Sequence, residues 1–192
     1  MRSKPIGHPA SRLIIRAPVD AARVRAFVDH LGRRTSVEAT VYLVGGASAV
    51  LMGWRATTRD VDLRVEPESA TGPLGDVIAD LKGELDISVE FASPPEFIPE
   101  LPGWRDRSPF VERVGSITFR HFDFYSQALA KARRGIDADA PDVAAMLDAD
   151  LIERDTAWSL FEAIVPEMRR YPAIDEPSFR ARMVAAFGPR HH

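Results

Sequence analysis

Val41-Tyr42-Leu43-Val44-Gly45-Gly46-Ala47-Ser48 and, shortly after it, Thr58-Arg59-Asp60-Val61-Asp62-Leu63-Arg64-Val65 decide how this chain is read. Val41 to Val44 is short, apolar and partly β-branched, which predicts a strand. The glycine pair ends it sharply, residues 47–52 form a short helix, and Gly53 closes that helix. From Thr58 to Val65 the pattern changes to period two. Val61, Leu63 and Val65 share one face, and Asp60, Asp62 and Arg64 share the other, as in a strand with one buried and one solvated side.

Two carboxylates two residues apart on a strand point the same way, with Cα atoms ~6.5–7 Å apart. Asp60 and Asp62 can therefore share a divalent metal or hold two metals ~3.5–4 Å apart. Magnesium takes oxygen ligands together with waters and the phosphates of a nucleotide. A third acidic group would complete such a site. Glu90 is the choice, with Asp86 in reserve, because both fall on the charged face of a third strand predicted over Asp86 to Phe91. Gly45 and Gly46 let a backbone approach a ligand closely. The helix after them offers N–H groups and its positive dipole end to phosphate, and Ser48 can add a hydroxyl. Each element has an ordinary explanation. An Asp-x-Asp pair can be a solvated strand face, and a double glycine can be a tight turn packed under a sheet. Together, on a strand–helix–strand path, they favour a phosphate-and-metal site. Near them, Arg55 either binds a phosphate or holds a carboxylate, Thr58 can orient Asp60 by hydrogen bonding, and Arg64 can balance the aspartates.

The rest of the chain frames this region. Residues 1–17 read as an irregular arm limited by Pro5, Pro9 and Pro18. Asp20 is a candidate cap for a helix whose apolar face is Val24, Phe27, Val28 and Leu31. Leu74, Val77, Ile78 and Leu81 mark another amphipathic helix. On the third strand, Ile87, Val89 and Phe91 form the apolar side. Residues 92–110 hold five prolines, and Phe97, Ile98, Leu101 and Trp104 are too apolar for free solvent. The segment is a lid over the site or a packing element. A strand or hairpin is expected around Ser116 to Phe122. From Tyr125 onward the pattern is helical, with faces Val143/Met146/Leu147, Trp158/Phe161/Val165/Met168 and Phe179/Met183/Phe187.

Composition narrows the class. The chain has 192 residues, 45% of them hydrophobic, enough for one sizeable domain or two small lobes. The formal charge of -3 argues against a nonspecific nucleic-acid binder. The absence of cysteine removes disulfides, thiolate metal sites and cysteine nucleophiles. No apolar run approaches the ~20 residues that cross a bilayer, and the N-terminus lacks the apolar core of a signal peptide. No membrane association and a cytoplasmic location are expected. His191 and His192 are native residues or the remnant of a tag.

The pattern Gly45-Gly46-Ala-Ser48, Gly53-Trp-Arg55 and Thr58-Arg-Asp60-Val-Asp62-Leu63 resembles the nucleotidyltransferase superfamily related to DNA polymerase β. Within it the chain looks like the bacterial branch called DUF6036, near the toxin components of AbiE-type toxin–antitoxin systems. The segments 92–104, 121–131 and 170–174 fit that branch. The resemblance implies an α+β fold: a small mixed-sheet nucleotidyltransferase core over 18–122 and a C-terminal helical lobe over 123–188. It implies that Asp60 and Asp62 hold Mg2+, with Glu90 as third ligand, and that Gly45 and Gly46 receive the phosphates of a nucleoside triphosphate. Lys131 would neutralise triphosphate charge, with Asp139 and Asp142 downstream of it and Asp139 able to hold the lysine or the acceptor, or would be a solvated helix residue beside Arg133 and Arg134. The implied reaction moves a nucleoside monophosphate to an acceptor and releases pyrophosphate. Transfer RNA as the acceptor of a toxin paired with an antitoxin protein is one alternative. A catalytically degenerate nucleotide- or protein-binding module is the other. The tRNA alternative predicts a positive patch from Arg55, Arg59, Arg133 and Arg134.

Overall fold

The computed structural model describes residues 16–190. Pro5, Pro9 and the terminal histidines lie outside the described residues. The architecture is α+β: a five-stranded mixed sheet followed by C-terminal helices. The strands are β1 (Ala39–Val44), β2 (Asp60–Glu66), β3 (Ser88–Phe91), β4 (Phe110–Val114) and β5 (Ile117–His121), in the spatial order β3-β2-β1-β5-β4. β1 is antiparallel to β2 and parallel to β5, β2 is parallel to β3, and β4 and β5 form the antiparallel hairpin expected near Ser116.

Each face of the sheet carries its own core. Helices α1 (Ala21–Arg34) and α3 (Thr71–Glu84) cover one face. There Phe27, Leu31, Leu74 and Leu81 pack on Val41, Leu43, Val61, Leu63 and Phe119, all fully buried. Asp20 starts α1 as expected, accepting the Arg23 N–H at 2.9 Å. The opposite face brings Tyr42 and Val44 of β1 together with Phe122 and the helices α5 (Phe124–Arg134), α6 (Ala140–Asp148), α7 (Arg154–Ile164) and α8 (Glu176–Phe187). In this second core Phe161 meets Trp158 and Phe179 edge-on, with centroids 5.6 and 5.0 Å apart. Among the described residues, no helix is long and apolar enough to cross a membrane.

Helix α2 (Gly45–Met52) takes the glycine pair into its own first turn, two residues earlier than the pattern suggests. β2 starts at Asp60 and runs to Glu66, and its burial alternates as its sequence does.

β3 requires two corrections. It begins at Ser88, because Asp86 sits in a turn at φ 49° after α3. There the Asp86 carbonyl accepts from Arg23 Nη2 at 2.8 Å. Asp86 is thus removed from the carboxylate site. Phe91, expected on the apolar face, is 46% exposed, because it is the last residue of an edge strand whose chain then turns away.

The proline-rich segment 92–110 packs. Ile98, Leu101 and Trp104 are buried. Trp104, on the short helix α4 (Trp104–Arg107), stacks on Phe122 at 4.3 Å, with the guanidiniums of Arg64 and Arg105 4.8 and 4.4 Å from its ring centroid.

Candidate functional site

The parallel register of β2 and β3 places Asp62 beside Glu90 and Asp60 beside Ser88. Neighbouring strands lie ~4.8 Å apart, so Glu90 meets the aspartates on one face of the sheet. On that face opens a cavity of about 270 Å³, whose lining includes Gly45, Asp60, Asp62, Glu90, Lys131 and Arg134. Phe97 also lines it, so the segment that packs on the sheet edges the cavity as well.

Asp62 is the strained group. Its pKa is pushed up to about 6, first by burial, then by the charge of Asp60, then by that of Glu90. Lys131 and Arg134 pull in the other direction without cancelling these effects. At Asp62, burial and the two neighbouring carboxylates together outweigh the two cations.

Gly45 has φ +55°, where a side chain is disfavoured, and a Cβ there would lie 3.3 Å from Asp62 Oδ2. Its N–H is not free: it donates to Gln127 Oε1 at 2.7 Å, while Gln127 Nε2 donates to the Phe122 carbonyl at 2.8 Å. Gln127 is buried and lines the cavity. The motif reading missed it. Gln127, Lys131 and Arg134 are spaced as one helical stripe, and that periodicity is the signal that could have found it.

Gly46 is required by packing. A Cβ there would collide with Thr58 Oγ1 and come within 2.7 Å of Thr58 Cβ. Thr58 donates at 3.1 Å to the Asp60 backbone carbonyl, so it fixes the start of β2 and does not touch the Asp60 carboxylate. Ser48 is buried away from the cavity. Its hydroxyl donates to the Leu43 carbonyl at 2.9 Å. With that proton committed, its oxygen accepts from His121 Nδ1 at 2.9 Å, which gives a neutral histidine protonated at Nδ1. Burial pushes the His121 pKa down to about 4.

Arg55 holds a carboxylate. Its Nε donates to Asp142 Oδ1 at 2.7 Å, and Trp54 Nε1 donates to the same oxygen at 3.2 Å. Lys131 is no solvated helix residue. It is buried, and Nζ donates to Asp142 Oδ2 at 2.6 Å and Asp139 Oδ1 at 3.1 Å. Arg134 Nη2 lies 2.8 Å from Asp139 Oδ2 but aims its hydrogen bond at Oδ1, 2.9 Å away, so Oδ2 has the charge without a directed bond. Three cations and two aspartates thus form one charge network, of which Lys131 and Arg134 line the cavity that holds the carboxylates of β2 and β3. Of the arginines expected to form a patch, Arg55 and Arg134 are paired with aspartates, Arg133 donates to the Ala173 carbonyl at 2.7 Å, and Arg59 stands exposed.

Among the described residues no three carboxylate or imidazole groups are gathered so as to hold a metal by themselves. The donor set still suits magnesium in type. That ion is commonly held by one or two carboxylates together with substrate phosphates, and Asp60 and Asp62 present two in one cavity.

No protein-family model matches the chain. No curated protein matches it. Among solved structures it is similar to an antigenic nucleotidyltransferase-like protein from Paracoccidioides brasiliensis, at 14% identity and a TM-score of 0.49, covering 90% of this chain and 100% of that one. A likeness of this size carries no argument about activity.

Proposed function

We propose that the chain is a nucleotidyltransferase that moves a nucleoside monophosphate from a nucleoside triphosphate to an acceptor hydroxyl and releases pyrophosphate. One observation carries the reading. Asp60, Asp62 and Glu90 share a cavity with Lys131 and Arg134, and burial with the two neighbouring carboxylates raises the Asp62 pKa in spite of those cations.

Magnesium, held by Asp60 and Asp62, would supply charge neutralisation for the triphosphate. Gly45, lacking a side chain, lets the phosphates approach the carboxylates. Lys131 and Arg134 offset the charge that builds on the leaving pyrophosphate, and their own aspartate partners hold them in place beforehand. Glu90, exposed at the end of β3, accepts the acceptor's proton. Positioning and electrostatics then provide most of the rate enhancement.

Purified protein incubated with each α-labelled nucleoside triphosphate, magnesium and cell extract should transfer label to an acceptor. Asp60→Asn and Asp62→Asn should each lower that transfer at least ~100-fold while circular dichroism stays unchanged. Full transfer by both variants sinks the assignment.

One observation favours a second reading, a degenerate nucleotide-binding module: the Gly45 N–H is already taken by Gln127. That protein would bind magnesium nucleotide in calorimetry and release no pyrophosphate.

A further inference from the structure

Helices α6 and α8 both pack on α5, and between them opens a second cavity, of about 510 Å³, floored by the C-terminal end of α5. It shares one residue with the candidate site: Lys131 lines both spaces. Along α6, Ala140, Val143, Ala144 and Leu147 fall at i, i+3, i+4 and i+7, an apolar stripe on the cavity side. From α8, Ala185 and Ala186 are too small to fill the gap. The volume is that of a small-molecule pocket.

Charges of both signs come together where α5 ends. Arg182 is pinned there, its Nη1 donating to the Arg133 carbonyl. Gly135 closes α5 at φ 62° and leaves the space this arginine needs, since a Cβ there would lie 2.8 Å from Arg182 Nε. Beside it the cavity is lined by Asp137, which is exposed, and Asp139, which is not. Asp139 is 7% exposed, and its Oδ1 accepts from Lys131 and Arg134. Its Oδ2 is buried without a hydrogen-bond donor, a state in which few buried oxygens are left. Asp139 lines this cavity and not the candidate site, although both cations it holds line the candidate site.

We infer that this cavity binds an α-amino acid with an apolar side chain, as an effector of the nucleotide site. Such a ligand carries its ammonium and carboxylate on one carbon. The carboxylate meets Arg182, the ammonium meets Asp139 and Asp137, and the side chain lies along Val143, Ala144 and Leu147. A carboxylic acid alone brings no donor to Asp139, and an amine alone leaves Arg182 without an anion. The coupling runs through Asp139 and rests on the nucleotidyl-transfer reading. A ligand ammonium takes up part of the charge that holds Lys131 and Arg134, and both turn further toward the triphosphate. The amino acid therefore tightens magnesium-nucleotide binding, and the nucleotide tightens amino-acid binding by the same factor.

The test is calorimetric binding of leucine, isocaproate, isopentylamine and serine to the full chain. Isocaproate lacks the ammonium, isopentylamine the carboxylate and serine the apolar side chain. Leucine should bind at least ~10-fold more tightly than each, and saturating leucine should tighten magnesium-ATP binding at least ~5-fold. Arg182→Gln and Ala144→Phe alter exposed residues of the lining. Each should weaken leucine about tenfold and leave magnesium-ATP binding measured without leucine unchanged. Absence of leucine binding, binding no tighter than that of an analogue, indifference to both variants, or nucleotide affinity unmoved by leucine overturns the inference. Selective leucine binding by a protein that binds no nucleotide would leave the amino-acid site standing and remove the transferase reading. Nucleotide binding and transfer without leucine binding would do the reverse, so the two failures are distinguishable.

Discussion

Gln127 shows what a single residue does at this site. Its amide joins two backbones, accepting from Gly45 N–H and donating to the Phe122 carbonyl, and so ties α5 to the turn that lies against Asp62. A leucine there would leave a half-buried N–H and a buried C=O without their partner. The expected cost for Gln127→Leu is about 1–3 kcal/mol in urea unfolding, with weaker magnesium-nucleotide binding because the Gly45 turn loses its support. Gln127→Glu keeps an acceptor for Gly45 but loses the donor to Phe122 and adds an acid to an acid-rich cavity. It should unfold more easily than wild type at pH 8 and recover partly at pH 5. A Gln127→Leu variant as stable as wild type would show that the bridge contributes nothing. Single residues were also where the sequence was least legible. Asp60, Asp62 and Glu90 could be placed on the charged faces of their strands because period two is a local pattern, whereas the register that sets Asp62 beside Glu90 is not. Asp139 as a holder of Lys131 could be read from the resemblance, but the partner of Arg55 could not be fixed, because Arg55 reaches Asp142 87 positions away. Ser48 looked like a phosphate donor by position, and its burial against His121 depends on β5 lying beside β1.

At the scale of elements, α2 and β2 are locked by the contact between Gly46 and Thr58. Thr58 also pairs with Val19 through backbone bonds of 2.7 and 2.8 Å, so the residue cannot easily retreat. Gly46→Ala should therefore cost about 1–3 kcal/mol by overpacking. Thr58→Gly should cost less on its own and should relieve most of the damage in the double variant, giving a coupling energy of about 1 kcal/mol or more in a double-mutant cycle. Strict additivity would mean that the two residues do not press on each other. The glycine pair thus has two separate reasons: Gly45 for its positive φ beside Asp62, Gly46 for the hydroxyl side chain against it. A sequence shows that two glycines are adjacent, and only the packing separates their roles. The elements themselves were easier. β2, α1, the β4–β5 hairpin and the apolar helix faces follow from period and capping, whereas Phe91 failed because alternation cannot report that a strand ends at a sheet edge.

Across the whole molecule, the two groups displaced furthest by burial act against each other. Asp62 in the folded chain has a pKa of about 6 against an ordinary 3.8. Between these values the folded state holds the extra proton, so the contribution of Asp62 is present below pH 4 and is lost as pH rises through 6. His121 in the folded chain has a pKa of about 4 against an ordinary 6.5. Between those values the unfolded state holds the extra proton, so the contribution of His121 is lost as pH falls from 6.5 to 4. The slopes have opposite signs over nearly the same window, and wild-type stability should change little between pH 4 and 6. Asp62→Asn removes one slope. That variant should be more stable than wild type at pH 7 by about 1–2 kcal/mol, a figure reduced for the partial exposure of the carboxylate. Its advantage should vanish below pH 4, and its stability should rise steeply with pH from 4 to 6.5, where His121 alone remains. Chemical denaturation at half-unit pH steps measures both curves. A parallel pair of profiles would mean that burial and its acidic neighbours do not hold Asp62 above the ordinary carboxylate range.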